Sequence, residues 1–174
     1  MYFTQKIENL DYTEFIQHLI LLYFNHDYEN ICKILKLEYN NNYNKKNDIT
    51  YKYQNTGMMF LESENSITLQ RIYVDKETKY ILDTLLMVTS NSMNEKTFID
   101  LIIDNWLKNV HITGILESNY IPEIVGKETY IQLKVGEKCW KDLTKSCKNK
   151  GILIKTGFKM SLLNYLNEIS YNFS

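Results

Sequence analysis

The side chains able to do chemistry in this chain fall into two kinds. The first has catalytic or metal-ligating types: His18 and His26, Cys139 and Cys147, Asp100 and Asp104. The histidines are separated by an expected chain break at Asn25-His26-Asp27, and no cysteine or acid stands at ligand spacing beside them, so no metal site is expected. Cys139 and Cys147 are about 12 Å apart by helical rise on one predicted helix, too far for a disulfide, and read as small core fillers. Asp100 and Asp104 have the i,i+4 spacing of a carboxylate pair, but without a pocket partner they read as a solvated helix face. The chain has no phosphate-cradling Gly-rich loop and no nucleophile elbow. Neither an enzyme nor a cofactor is expected.

The second kind is chemistry of recognition. In Tyr130-Ile131-Gln132-Leu133-Lys134-Val135 polar and apolar residues alternate strictly, which in a strand sends Ile131, Leu133 and Val135 to one face and Tyr130, Gln132 and Lys134 to the other. The segment around Arg71 behaves alike: Ile72 and Val74 face a core, and Leu69, Arg71 and Tyr73 face outward. Arg and Lys can reach guanine O6 and N7, and Gln can address adenine N6 and N7.

Each such strand leads into helical patterns that must hold it. Asp75 is a good N-cap for a helix carrying Ile81, Leu82, Leu85 and Leu86; after Thr89-Ser90-Asn91-Ser92, Asn94 can cap a second helix with Phe98, Ile102, Ile103, Trp106 and Leu107. Towards the C-terminus, Gly136-Glu137 opens a helix with Trp140, Leu143 and Cys147, Lys150-Gly151 ends it, and Phe158, Leu162, Leu163, Leu166 and Ile169 mark another. Trp106 and Trp140 read as core or interface anchors. Superposing Val74 on Val135 places Ile72 on Leu133 and Leu82 on Leu143; with a one-residue shift in the turn, Phe98 falls on Phe158 and Ile102 on Leu162. The chain therefore contains an internal repeat of about 60 residues. Upstream, Phe15, Ile16, Leu19, Ile20 and then Ile31, Cys32, Leu35 predict two further helices; Ile49, Tyr51 and Tyr53 predict a strand, with a turn at Asn55-Thr56-Gly57.

A strand, a capped helix, a polar turn and a more apolar helix, twice in tandem, resembles the ribbon-helix-helix family of Arc, MetJ and CopG type. The resemblance covers about 67–109 and 129–170. It implies an α+β, mostly helical fold in which two units interlock, their strands pairing into an antiparallel two-stranded ribbon over a four-helix core. The division that follows is an N-terminal helical and β extension over 1–65, one unit over 67–110, a connector over 111–127 containing Pro122, and a second unit over 128–174. The resemblance also implies a ribbon entering the DNA major groove, with Leu69, Arg71, Tyr73, Tyr130, Gln132 and Lys134 reading bases. It implies phosphate contacts at the start of each unit's second helix, here Asn94 and Lys96, and Lys155, Thr156 and Gly157, with Glu95 an awkward neighbour unless it serves a local cap. The units could pair within one chain or between chains.

Charge bears on where DNA would be held. The 174 residues carry 20 Lys+Arg against 21 Asp+Glu, a net charge of −1. From Lys127 onward nine lysines face four acids, giving +5, which leaves −6 for residues 1–126. Such asymmetry points to an electrostatic partner for the basic part and a different role, dimerisation or a protein contact, for the acidic one. No apolar run approaches the ~18–20 residues of a membrane span. The first residues lack a signal-peptide layout and the cysteines form no disulfide framework, so a cytoplasmic protein is expected.

The expected function is sequence-specific binding of double-stranded DNA, as in plasmid or phage repressors, partition factors and transfer-origin accessory proteins. The alternative is a protein-binding module, such as an antitoxin or a phage-encoded inhibitor of a host defence complex. A third reading is single-strand binding through Tyr51, Tyr53 and Tyr130 stacking on bases.

Overall fold

A computed structural model of the chain describes residues 12–40, 66–117 and 127–171. The strand expected at Ile49–Tyr53 and its turn lie outside them. In chain order the described elements are α1 (Thr13–Phe24), α2 (Tyr28–Ile34), β1 (Ile67–Asp75), α3 (Lys76–Thr89), α4 (Glu95–Glu117), β2 (Glu128–Gly136), α5 (Glu137–Lys150) and α6 (Ile154–Tyr171). The described protein is mostly helical, with one two-stranded antiparallel sheet, an α+β arrangement.

Local chemistry explains the boundaries. Asp75 Oδ1 accepts from Thr78 N at 2.8 Å, and Asn94 Oδ1 accepts from Thr97 N at 2.7 Å, so α3 and α4 begin where a carboxylate and an amide satisfy orphan donors. Gly151 ends α5 in the left-handed region, with φ 70°, letting Ile152 N turn back to Cys147 O at 3.0 Å. α4 outruns the sequence boundary: the connector was expected from residue 111, yet the helix continues to Glu117. No proline interrupts it before Pro122, and Gly114 alone costs only about 1 kcal/mol.

β1 and β2 pair with each other within the one chain. Beneath them α4 packs against β2 and α6 against β1, so each segment's second helix covers the other segment's strand. α4 and α6 also pack together, and Phe98, Ile102, Trp106, Phe158, Leu162 and Leu166 between them are buried. Each such side chain contributes roughly 1.5–3 kcal/mol by leaving water, and neither segment could bury its apolar helix alone.

α1 and α2 pack against α3. Tyr165 Oη in α6 donates to Leu35 O at 2.7 Å, and the Cys32 thiol donates to Ser92 Oγ at 3.1 Å. The N-terminal helices are thus joined to the same core, with Phe15, Ile16, Leu19, Ile31 and Leu35 buried in it.

Candidate nucleic-acid interface

The ribbon's register gives the site its geometry. Leu69 faces Lys134, Arg71 faces Gln132 and Tyr73 faces Tyr130 across the strands. These six residues are all exposed on one face, while Ile72, Val74, Ile131, Leu133 and Val135 are buried on the other. The pleat alone divides them so: successive side chains of a strand point to opposite sides. Arg71 and Gln132 are also separated by the offset that superposes Val74 on Val135. The pair therefore marks the centre of the repeat's approximate two-fold relation, and the face reads outward from it: Lys134 and Leu69 to one end, the tyrosines to the other.

The side chains on this face are partly pre-arranged. The Tyr73 and Tyr130 rings meet edge to face, centroids 5.5 Å apart, and the Arg71 guanidinium carbon lies 5.9 Å from the Tyr130 centroid. Neither Arg71 nor Lys134 has an ion-pair partner among the described residues. The face therefore carries two unneutralised cations, an amide, two phenols and an aliphatic side chain.

The open edge of β2 is closed by carboxylates of α4. Lys134 N donates to Glu95 Oε2 at 2.7 Å, and Gly136 N donates to Asp100 Oδ1 at 2.7 Å. This occupies edge donors that would otherwise template pairing with another chain. It gives Glu95 a task unrelated to the local cap considered from the sequence, and it alters the reading of Asp100. Instead of a solvated face, Asp100 is largely enclosed, with Oδ2 2.8 Å from Lys96 Nζ. Asp104 lies beside the Cys139 thiol, Sγ to Oδ1 3.6 Å. Burial raises the Asp104 carboxyl above its ordinary value, with Asp100 adding to the rise against the thiol's hydrogen bond. Asp100 thus joins α4 to the second segment, while Asp104 touches the Cys139 thiol yet keeps the exposed position expected of it. Cys139 is itself pushed far above the usual thiol range, first by burial and then by Asp104 and Asp100, which disfavours the nucleophilic thiolate.

The phosphate candidates fare unequally. Asn94 is spent on its own cap and Lys96 on Asp100, with Glu95 between them. Lys155 Nζ is 2.7 Å from Glu128 Oε1, both about one-third exposed, so this cation is shared with the first residue of β2. Thr156 is half-buried in the first turn of α6, whose preceding residue, Leu153, has no side-chain acceptor to cap it. Gly157 does not present its amide, which donates to Leu153 O at 3.0 Å. The residue is buried, and a Cβ there would collide with Cys147 Sγ. Its glycine serves close α5–α6 packing, which leaves nothing at that position for a phosphate. Of the two helix starts, only that of α6 combines an uncapped first turn with a neighbouring lysine.

Sequence reasoning did not find Glu95 and Asp100 as edge acceptors or Glu128 as the partner of Lys155. No local signal could have revealed them, because the partners lie 39, 36 and 27 residues away. Among the described residues no group of three or more His, Cys, Asp or Glu could hold a metal ion, and no helix is long and apolar enough to cross a membrane.

Comparison with protein-family models, with curated proteins and with solved structures finds no match to this chain.

Proposed function

We propose that this protein is a sequence-specific double-stranded DNA-binding protein whose two-stranded ribbon enters the major groove, in the manner of tandem ribbon-helix-helix units. The observation that carries this reading is the outward face of the ribbon. Six exposed residues in antiparallel register, centred on Arg71 opposite Gln132, form a strip two strands wide. The major groove is about 12 Å wide and admits such a strip. Its side chains suit base edges: Arg71 and Lys134 match guanine acceptors, Gln132 matches adenine, and Leu69 offers apolar contact to a thymine methyl.

The two strands differ at every outward position, so the ribbon has no true two-fold symmetry and its target is non-palindromic. Phosphate contact falls on the second segment, where the start of α6 is uncapped and the chain is basic, while Glu95 disfavours an anion at the start of α4. A protein with these features fits the role of a plasmid or phage repressor, partition factor or transfer-origin accessory protein. Selection of bound duplexes from a random pool tests the reading: a single consensus supports it, and binding without any consensus refutes it.

One observation favours a second contact, with protein. Leu21 and Phe24 on α1 are 61% and 68% exposed, in a part of the chain that is acidic. Large apolar groups held out to solvent on a helix that otherwise packs inward suit a homodimer or a protein partner. Size measurement of Leu21→Lys/Phe24→Lys against wild type, with and without nuclease, separates this from assembly on DNA.

A further inference from the structure

α3 and α5 follow the two strands at equivalent places, each 14 residues long, yet their outer faces differ in kind. α1 and α2 pack on α3, whose Ile81, Thr84, Leu85 and Val88 are all buried. The corresponding positions on α5 are Asp142, Lys145, Ser146 and Asn149, three of them exposed and Ser146 half-buried. Lys138, Lys141, Lys145 and Lys148 are exposed in one stripe, at spacings of three, four and three residues. Their counterparts on α3 are Glu77, Tyr80, Thr84 and Met87, so the stripe is a property of α5 and not of the repeat.

The stripe is scarcely neutralised. Among the described residues only Lys141 has an ionic partner, Glu137 at 3.5 Å, and both are exposed, a class of contact worth little in water. Four cations span about 15 Å along the helix by rise, with Asp142 the one acid between them. No apolar side chain is exposed within α5, so the face lacks the apolar centre that protein interfaces require.

The position of α5 relative to the ribbon is fixed at both ends. It starts directly after Gly136, at one end of β2. Its left-handed turn at Gly151 delivers α6, whose Lys155 reaches Glu128 at the other end of β2. The helix therefore runs back alongside β2, about 21 Å of it by rise, with its exposed lysines on the side opposite the buried Trp140, Leu143 and Cys147.

We propose that the Lys138, Lys141, Lys145 and Lys148 stripe of α5 is a second, sequence-independent contact to the sugar–phosphate backbone of the bound duplex, on the second segment's flank alone. Each of the four lysines can neutralise at most one phosphate of the bound duplex, so up to about four counterions are released. The contact rests on the ribbon reading above, since the ribbon brings the duplex alongside. It makes the complex lopsided: one flank clamped by α5, the other, where α1 and α2 cover α3, without any clamp.

The test compares the full-length quadruple variant K138Q/K141Q/K145Q/K148Q with wild type on a selected duplex and an unrelated one, over a range of salt concentrations. Circular dichroism verifies the fold, which exposed lysines should not disturb. The proposal predicts an unchanged consensus, a log–log salt slope shallower by about 3–4, and a hydroxyl-radical footprint shortened on one side only. A variant that keeps the wild-type slope and footprint overturns the α5 contact and leaves the ribbon standing. Wild-type binding that shows no consensus, yet loses its salt dependence in the variant, overturns the ribbon and retains α5 as a backbone contact. Absence of duplex binding by wild type overturns both.

Discussion

Lys159 Nζ lies 2.7 Å from Asp75 Oδ2, joining the last helix of the second segment to the end of the first segment's strand. The two side chains are only 11% and 8% exposed, so this pair is shielded from water and salt as the surface pairs are not. Burial alone would raise the Asp75 carboxyl, but the Lys159 ammonium and the Thr78 hydrogen bonds together hold it below its ordinary value of 3.8. A carboxyl depressed in the folded state contributes stability that is fully present above its unfolded pKa and is lost as pH falls through the folded one. Below about pH 4 the wild type should therefore weaken steadily. Lys159→Met should lose on the order of 3 kcal/mol at pH 7, because it strands a buried carboxylate, and should show a flatter acid limb. Urea titrations at pH 7 and pH 3 measure both; a variant as stable as wild type at pH 7 would contradict the role given to this pair.

Gly136 and Asp100 make the converse prediction. A Cβ at Gly136 would stand 2.6 Å from Asp100 Oδ2, so Gly136→Ala should destabilise the fold by about 1–3 kcal/mol. Much of that cost should vanish when Asp100→Ala is added, since the clash and the lost hydrogen bond share one carboxylate. A double-mutant cycle in urea reads this as strong coupling; additive losses would mean that the close approach is not what excludes a side chain at 136.

The thiols should be inert in the native protein. Cys32, Cys139 and Cys147 are all buried and free, burial pushes Cys147 up to about 11, and Cys139 is raised further. A chromogenic disulfide at pH 8 should find no rapidly reacting thiol in the folded protein and three in denaturant. One fast native thiol would show that the packing around it opens readily: α2 against Ser92 for Cys32, α4–α5 for Cys139 or α5–α6 for Cys147.

Much of this architecture was legible from local chemistry. The alternation around Gln132 and Arg71 correctly divided buried from exposed residues, and the caps at Asp75 and Asn94 form as their residue types demand. The repeat offset anticipated a helix directly after each strand, and α3 and α5 follow β1 and β2 in that way. What escaped was long-range. Lys96 and Lys155 read as phosphate contacts, Glu95 as an awkward neighbour or local cap and Asp100 as a solvated face, yet each is committed to a partner, in three of these cases by contacts that reach across the chain. Gly157 resembled a phosphate-binding glycine because the sequence does not reveal that Cys147 packs against it. The single chain could not be seen to pair with itself until Ile72 was placed opposite Ile131.

Removing a reading side chain should cost binding and not stability. Arg71→Ala and Gln132→Ala each delete an exposed group, so melting temperatures should be nearly unchanged. Each lost base contact should reduce specific affinity by roughly 1–3 kcal/mol, about 5- to 150-fold. Fluorescence anisotropy on a selected duplex checks this; equal affinity for wild type and variant would remove that position from the interface.

The central claim is that an asymmetric ribbon reads double-stranded DNA, and selection of bound duplexes from a random pool tests it most directly. The ribbon predicts one consensus with unlike halves, relaxed at a single position when Arg71→Ala is selected in parallel. A palindromic consensus, or salt-sensitive binding with no consensus at all, would contradict it.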